Sequence, residues 1–495
     1  MQRLVLSLIG LTLLTLAGCA STLQRDVETA LFNPDHTGIR WGLVVADMNG
    51  EELLALKPDD RFTPASNTKI FTTMAAYHHL DALESAAKNP GTQLFVEEMP
   101  DGIAPRLVLK GGGDAMLQDT PDCEATCLST LADQVASWGL EEVNAVVGDD
   151  TLFPFERWGP GWSQEDLTFY YGTAISALSI NDNVVWVDVA PGNAAGDLAN
   201  VSWQAGDAYF QLDNQLRTAS EDGDWAMRIE RLPGTQTVRF YGEIPVAASQ
   251  RTYRLAIDNP AEYAAWRFKN LLEERGISVG EMMTRHRPFA LSDEAPDPDE
   301  TVGTATLAIA QETRTAAAIL PAGPLRDSLK QVSKDSQNLH ADITLRRLGL
   351  LNGTGSRDYG VAALKDFLAE AGLPEHGYAV HGGSGMSIYN RISPRSMVTL
   401  LAFAAQQPWF EAWLEDQPIG GVDGSLKRRF VGTALEGKIF AKTGTLNGAN
   451  ALSGVMVAQS GQRLLFSILA NDRPTSARSA IAEMDAALVE IASRY

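Results

Sequence analysis

Ser66-Asn67-Thr68-Lys69, Ser336-Gln337-Asn338 and Lys442-Thr443-Gly444 follow one another in that order along a chain of 495 residues. They spell S-x-x-K, S-x-N and K-T-G. A serine at its ordinary pKa is a poor nucleophile and needs a base beside it. Three residues on, on the same face of a helix, Lys69 lies within reach of the Ser66 hydroxyl. Burial next to other cations lowers a lysine's pKa, which would make Lys69 that base. Ser336 suits a proton relay towards a leaving amine, and Asn338 suits orienting Lys69 and holding a substrate amide. Lys442 and the hydroxyls of Thr443 and Thr445 suit a terminal carboxylate, with Gly444 expected to let substrate backbone approach closely. Backbone N–H groups of Ser66 and Thr445 are the expected oxyanion hole. The chemistry of such a set is acyl transfer through a serine ester.

Each signature alone is weak. Ser85-Ala86-Ala87-Lys88 is a second S-x-x-K, but it falls at the tail of a helical run before Asn89-Pro90. Ser179-Ile180-Asn181 is a second S-x-N. Lys334 either adds positive charge near Ser336 or faces solvent. No H-E-x-x-H or paired-histidine spacing supports a metal, and Gly111-Gly112-Gly113 lacks the Lys-Ser/Thr of a phosphate loop, so no cofactor is expected. His78 and His79 read as packing or surface residues.

The elements that must position these residues can be read from patterning. Thr63-Pro64 is a helix start, Thr63 as cap and Pro64 first, with Ile70, Met74 and Tyr77 marking the buried face. Ser336-Gln337-Asn338 precedes a helix over 339–351. The K-T-G run follows 437–441 and precedes Asn447-Gly448, which predicts an edge strand. Residues 41–56 form a hairpin around Asn49-Gly50, and 452–470 a second around Ser460-Gly461. Ile481, Met484, Leu488 and Ile491 mark a terminal amphipathic helix. Chain ends that both feed one sheet predict a discontinuous catalytic domain over 25–85 and 296–495.

Between Lys69 and Ser336 lie 266 residues, against 103 between Asn338 and Lys442. The excess reads as inserted, β-rich material, with strands at 92–96, 106–110 and 237–244 and a helix over 260–274. The acidic, proline-bearing stretch 292–300 reads as the returning linker.

The first 18 residues carry Arg3 and an apolar run over 4–16, too short to span a bilayer. The run ends in Leu16-Ala17-Gly18-Cys19, similar to a bacterial lipobox, with Cys19 as the lipidated residue. An ordinary signal peptide holding a cysteine is the alternative. Ala20, not an acidic residue, follows; in the sorting rule this resembles, that favours the outer membrane. Cleavage after Gly18 removes only Arg3 among the charged residues and takes the net charge from −22 to −23. Such a surface repels nucleic acid and suits a domain held near a membrane by lipid. Cys123 and Cys127, four apart, suit a local disulfide in an oxidising compartment, or two free thiols.

The three signatures together are the set of active-site serine penicillin-binding proteins and class A β-lactamases. Beyond them, the chain resembles the class C, low-molecular-mass penicillin-binding proteins, the D-alanyl-D-alanine carboxypeptidase/endopeptidase family. The likeness runs through LVLKGGGDAML at 107–117, GDDTLF at 148–153, RWGPGW at 157–162, YYGTAISALSINDN at 170–183, GSGMS at 383–387 and GVDGSL at 421–426. It implies an α/β penicillin-recognising fold, an antiparallel sheet flanked by helices. A second domain (86–195 and 250–295) is inserted after S-x-x-K, and a third (196–249) is nested within it. Ser179 then belongs to inserted material. It implies acylation of Ser66 by peptidoglycan stem peptides, release of D-alanine or a cross-linked partner strand, hydrolysis by water, and acylation by β-lactams. The departures are Phe153-Pro154, where the family has Phe-Asp, and Gly382 and Ile388, where the family's Asp-Gly-Ser-Gly-Leu-Ser-Arg has Asp and Arg. The missing groups are those the resemblance assigns to the charged end of a diaminopimelate side chain, so weaker preference for that free end is expected. A β-lactamase or esterase using the same site, and an inactive wall-binding lipoprotein, are the competing readings.

Overall fold

The computed structural model describes residues 23–32, 34–85, 90–204, 208–232, 234–295, 314–474 and 480–495. The expected signal peptide, Cys19, residues 86–88 of the second S-x-x-K and most of the 292–300 linker lie outside them. Two compact units are present. One holds the described residues up to Leu80 together with Arg326–Leu348 and Val361–Tyr495; the other holds Asp81–Leu325 and Gly349–Gly360.

The first unit is built on a five-stranded antiparallel sheet, in the order Ile439–Leu446, Ala449–Val457, Arg463–Asn471, Arg40–Ala46, Glu52–Leu56. Both expected hairpins form, and the K-T-G strand is at the edge. The pairing of Arg40–Ala46 with Arg463–Asn471 joins the two ends of the chain in one sheet. Ala449–Val457 and Arg463–Asn471 are buried almost throughout because both faces are covered. On one face Leu452, Met456, Phe466 and Ile468 pack with Met484, Leu488 and Ile491 of the helix Ile481–Arg494. On the other, Phe62 and Pro394 press on Gly42, where an added Cβ would lie 2.4 Å and 2.9 Å from their side chains. The covering helix Pro394–Ala405 starts as caps dictate: Ser393 Oγ accepts the Ser396 N–H and Pro394 comes next.

Thr68–His78 forms the central helix, and every residue from Thr68 to Tyr77 is buried. Periodicity marked one apolar face only. Its threonines go inside because their hydroxyls are satisfied there: Thr72 Oγ1 donates to the Gly383 carbonyl and Thr73 Oγ1 to the Lys69 carbonyl, both at 2.8 Å.

The second unit carries a five-stranded mixed sheet, in the order Ser278–Arg287, Glu142–Pro154, Arg106–Lys110, Thr92–Glu97, Ala318–Leu320. Two three-stranded sheets accompany it. The expected nested domain at 196–249 has no core of its own: Val187, Phe240 and Ile244 join Leu107, Val146 and Phe268 in one buried cluster. Asn200–Trp203 also pairs with Val184–Ala190, across the expected boundary. The expected return to the first domain at residue 296 comes later. Ala318–Leu320 completes the edge beside Thr92–Glu97 and buries Ala318 and Leu320 in that cluster. Gly349–Gly360 also belongs to this unit rather than the first. Ser179 lies here, its Oγ donating to the Ser176 carbonyl. Cys123 and Cys127 are joined by a disulfide.

Candidate active site

Ser66 lies in a 3-10 turn, Ala65–Asn67, that runs straight into the Thr68–His78 helix. The expected cap at Thr63 is not formed, since the chain is already helical at Pro64 and no side chain caps the turn. Thr63 is held instead by Asn471, which accepts its N–H at 2.7 Å and donates to its carbonyl at 3.2 Å. Ala65 takes a left-handed φ of 48°, a conformation that persists only where neighbours enforce it. Those neighbours are Thr68, whose hydroxyl donates to the Ala65 carbonyl at 2.9 Å, and Gly385, where a Cβ would come within 2.0 Å of that oxygen. Asn67 Nδ2 donates to the Lys442 carbonyl at 2.7 Å and fastens the turn to the edge strand.

Lys69 is fully buried. Its Nζ reaches Ser66 Oγ at 3.0 Å, Asn338 Oδ1 at 2.5 Å and the Ser384 carbonyl at 2.6 Å. Burial pushes this ammonium well below its ordinary pKa; the nearby Lys442 pushes the same way and the Asp342 carboxylate opposes both. Lys442, also buried, donates to Ser336 Oγ at 2.9 Å and to the Thr443 carbonyl at 3.1 Å. Burial brings its pKa down to about 7, against the opposing pull of Asp335. Ser336 itself sits at a left-handed φ of 60°. Each serine hydroxyl thus has one lysine amine against it, Lys69 at Ser66 and Lys442 at Ser336. Such an arrangement favours the unprotonated amine against a hydroxyl, the requirement for general-base activation of a serine.

On the edge strand, Thr443 Oγ1 donates to Ser425 Oγ at 2.8 Å, and Thr445 is exposed with its Oγ1 accepting from Asn450 at 3.4 Å. Gly444 departs from expectation. Its missing Cβ makes room for the protein itself, because a Cβ there would lie 2.4 Å from the Pro64 carbonyl oxygen and 3.1 Å from the Asn67 nitrogen. Lys334 does not face solvent. It is buried, donating to the Gln417 carbonyl and pairing with Asp423, both at 2.6 Å. That pair braces the turn that carries Ser425.

Sequence reasoning missed Asp342, Ser384, Ser425 and Asn471. Asp342 stands four residues after Asn338, one turn along the helix Asn338–Gly349, and accepts the Gly383 N–H at 2.8 Å. That spacing was a usable signal. Ser384 and Ser425 lie within GSGMS and GVDGSL, stretches already singled out. Nothing local marked Asn471. Among the described residues, no group of three or more His, Cys, Asp or Glu side chains could hold a metal ion.

The family model for D-Ala-D-Ala carboxypeptidase 3 (S13) matches residues 23–294 and 299–495. The chain belongs to that family. It is therefore a serine hydrolase of the class C low-molecular-mass penicillin-binding-protein type. It is 32% identical to the D-alanyl-D-alanine carboxypeptidase of Actinomadura sp. (strain R39), covering 95% of this chain and 84% of that one. To D-alanyl-D-alanine carboxypeptidase DacB of Haemophilus influenzae it is 24% identical, over 86% and 81%. The crystal structure of penicillin binding protein 4 (dacB) from Haemophilus influenzae aligns over 95% of this chain and 98% of that one, with TM-score 0.76 at 21% identity. That likeness shows the family's fold.

Proposed function

We propose that this protein is a D-alanyl-D-alanine carboxypeptidase or endopeptidase acting on peptidoglycan stem peptides through an acyl-enzyme on Ser66. The observation that carries the assignment is Lys69 Nζ, buried and held down in pKa, 3.0 Å from Ser66 Oγ. Lys69 takes the Ser66 proton as Oγ attacks the carbonyl of the penultimate D-alanine. The bond to the terminal residue breaks, and the proton taken up by Lys69 is delivered, with Ser336 as relay, to the departing amine, which leaves Lys69 neutral again. Asn338 keeps Lys69 in place and holds a substrate amide. Lys442, Thr443 and Thr445 hold the terminal carboxylate, and the N–H groups of Ser66 and Thr445 stabilise the oxyanion. Water then hydrolyses the ester with Lys69 again as base.

β-Lactams acylate the same hydroxyl in this scheme; a β-lactam complex is known for the Haemophilus influenzae structural relative. Incubation with a stem pentapeptide should release D-alanine, and Ser66→Ala should abolish the release. Penicillin hydrolysis outpacing that release would favour a β-lactamase, and no labelling at all would favour an inactive wall-binding protein.

Two finer statements go with the assignment. Cys19 is the lipid attachment site and anchors the enzyme to the outer membrane, facing the periplasm; palmitate incorporation lost in Cys19→Ser tests this. Among the described residues no helix is long and apolar enough to cross a membrane. Pro154 and the exposed Ile388, replacing the family's Asp and Arg, weaken selection for a free diaminopimelate end. Equal turnover of stem peptides with free and blocked side chains supports this, and strong preference for the free end overturns it.

A further inference from the structure

A groove of about 960 Å³ crosses the inserted unit, walled by the turn Gln164–Thr168 on one side and the strand Arg228–Arg231 on another. None of its lining residues belongs to the unit that carries Ser66. Five aromatic rings line it: Trp158, Phe169, Trp225, Tyr241 and Tyr253. Tyr241 is among the exposed large side chains of the protein. Two of the rings are braced by arginines: Arg251, which is not part of the lining, lies 3.7 Å from the centre of Trp225, and Arg157 lies 4.9 Å from that of Trp158.

The charges on the walls cancel. Arg157, Arg228 and Arg231 face Glu165, Glu230 and Asp258. Two of the cations are already engaged: Arg157 donates to the Asp258 carbonyl at 2.8 Å, and Arg231 to the Ala256 and Leu167 carbonyls at 2.7 Å. A polyanion would find no net field here, in a chain that is itself strongly acidic. What the groove offers is aromatic rings bordered by planar hydrogen-bonding groups, in a volume that suits a ligand of several rings. A pyranose matches this: its axial C–H face lies on an aromatic ring while its equatorial hydroxyls meet amide, carboxylate and guanidinium edges.

We propose that this groove binds a neutral pyranose chain. That the chain is the glycan strand bearing the stem peptides rests on the peptidase assignment above; the affinity for sugar does not. Held there, the strand would keep the enzyme on the wall between successive stem peptides.

The test uses the full chain and a fluorescently labelled chito-oligosaccharide, a neutral pyranose chain, measured with and without penicillin bound at Ser66. Fluorescent-penicillin labelling normalises each preparation to its folded fraction. Wild type should bind the oligosaccharide in both states. Trp225→Ala combined with Tyr241→Ala should weaken binding roughly tenfold or more, and Trp225→Phe should restore most of the loss. Failure of wild type to bind, equal binding by the double variant, or displacement by polyphosphate but not by a chito-oligosaccharide would each overturn the proposal. Glycan binding by a protein that never acylates Ser66 would uphold the groove and remove only the peptidase assignment.

Discussion

The carbonyl oxygen of Pro64 occupies the space beside Gly444 that a side chain would fill, 2.4 Å from where a Cβ would be. The nucleophile's turn therefore lies directly on the edge strand, and the Asn67-to-Lys442 hydrogen bond at 2.7 Å locks it there. Gly444→Ala should push Ser66 away from Lys69 and slow acylation about 100-fold, the scale of a 1 Å misplacement, while the protein stays folded. Rates of fluorescent-penicillin labelling check this; a wild-type rate in Gly444→Ala would refute the packing argument.

In the proposed mechanism Asp342 tunes the base, Lys69, through its charge. Its carboxylate favours the charged form of Lys69 and so opposes the downward shift that burial and Lys442 impose. Asp342→Asn keeps an oxygen for the Gly383 N–H but removes the charge. The pKa of Lys69 then falls further, and the acid limb of the acylation-rate profile should move to lower pH. A limb that stays put, or moves up, contradicts this role. Lys69→Met, in contrast, should cost about 10²–10⁴ in acylation rate above the acid limb and should abolish the limb itself.

Lys442 has the opposite requirement in the proposed mechanism, where it must be charged to hold a carboxylate. With its pKa at about 7, the free enzyme loses that charge as pH rises through neutrality. KM for a stem peptide should rise above about pH 7, with kcat less affected, and substrate binding at pH 8 should take up a proton. Calorimetry in buffers of different ionisation enthalpy measures the uptake directly.

The same shift has a consequence for stability. Lys442 is less basic folded than unfolded, so between about pH 7 and its ordinary value near 10.5 the unfolded chain binds more protons. Stability therefore gains from this group as pH rises through that window, by at most about 1.4 kcal/mol per pH unit. Lys442→Met should lose that slope, so that its advantage over wild type is largest at low pH and shrinks towards pH 10. Parallel denaturation curves across pH 7–9.5 would contradict the burial of Lys442 in its neutral form.

What the sequence made legible follows what is local. Asn49-Gly50 and Ser460-Gly461 mark hairpins because a tight turn leaves few residue choices, and Met484, Leu488 and Ile491 mark a helix because one face alone is buried. Ser66 and Lys69 are marked by a three-residue spacing taken together with the two signatures that follow. The long-range relations did not. The amide of Asn471 on Thr63 joins positions 408 apart, and the crowding at Gly444 is invisible until two distant segments meet. Residue 296 looked like a boundary because proline and acidic residues break structure. Strand pairing decided otherwise, when Ala318–Leu320 found an edge beside Thr92–Glu97.

The most direct test is peptide mapping by mass spectrometry after brief exposure of the protein to a penicillin. One adduct, on the peptide containing Ser66, absent from Ser66→Ala and slowed by several orders of magnitude in Lys69→Met, is the result expected. An adduct on any other residue, or one on Ser66 that forms at the same rate without the Lys69 amine, would contradict the mechanism.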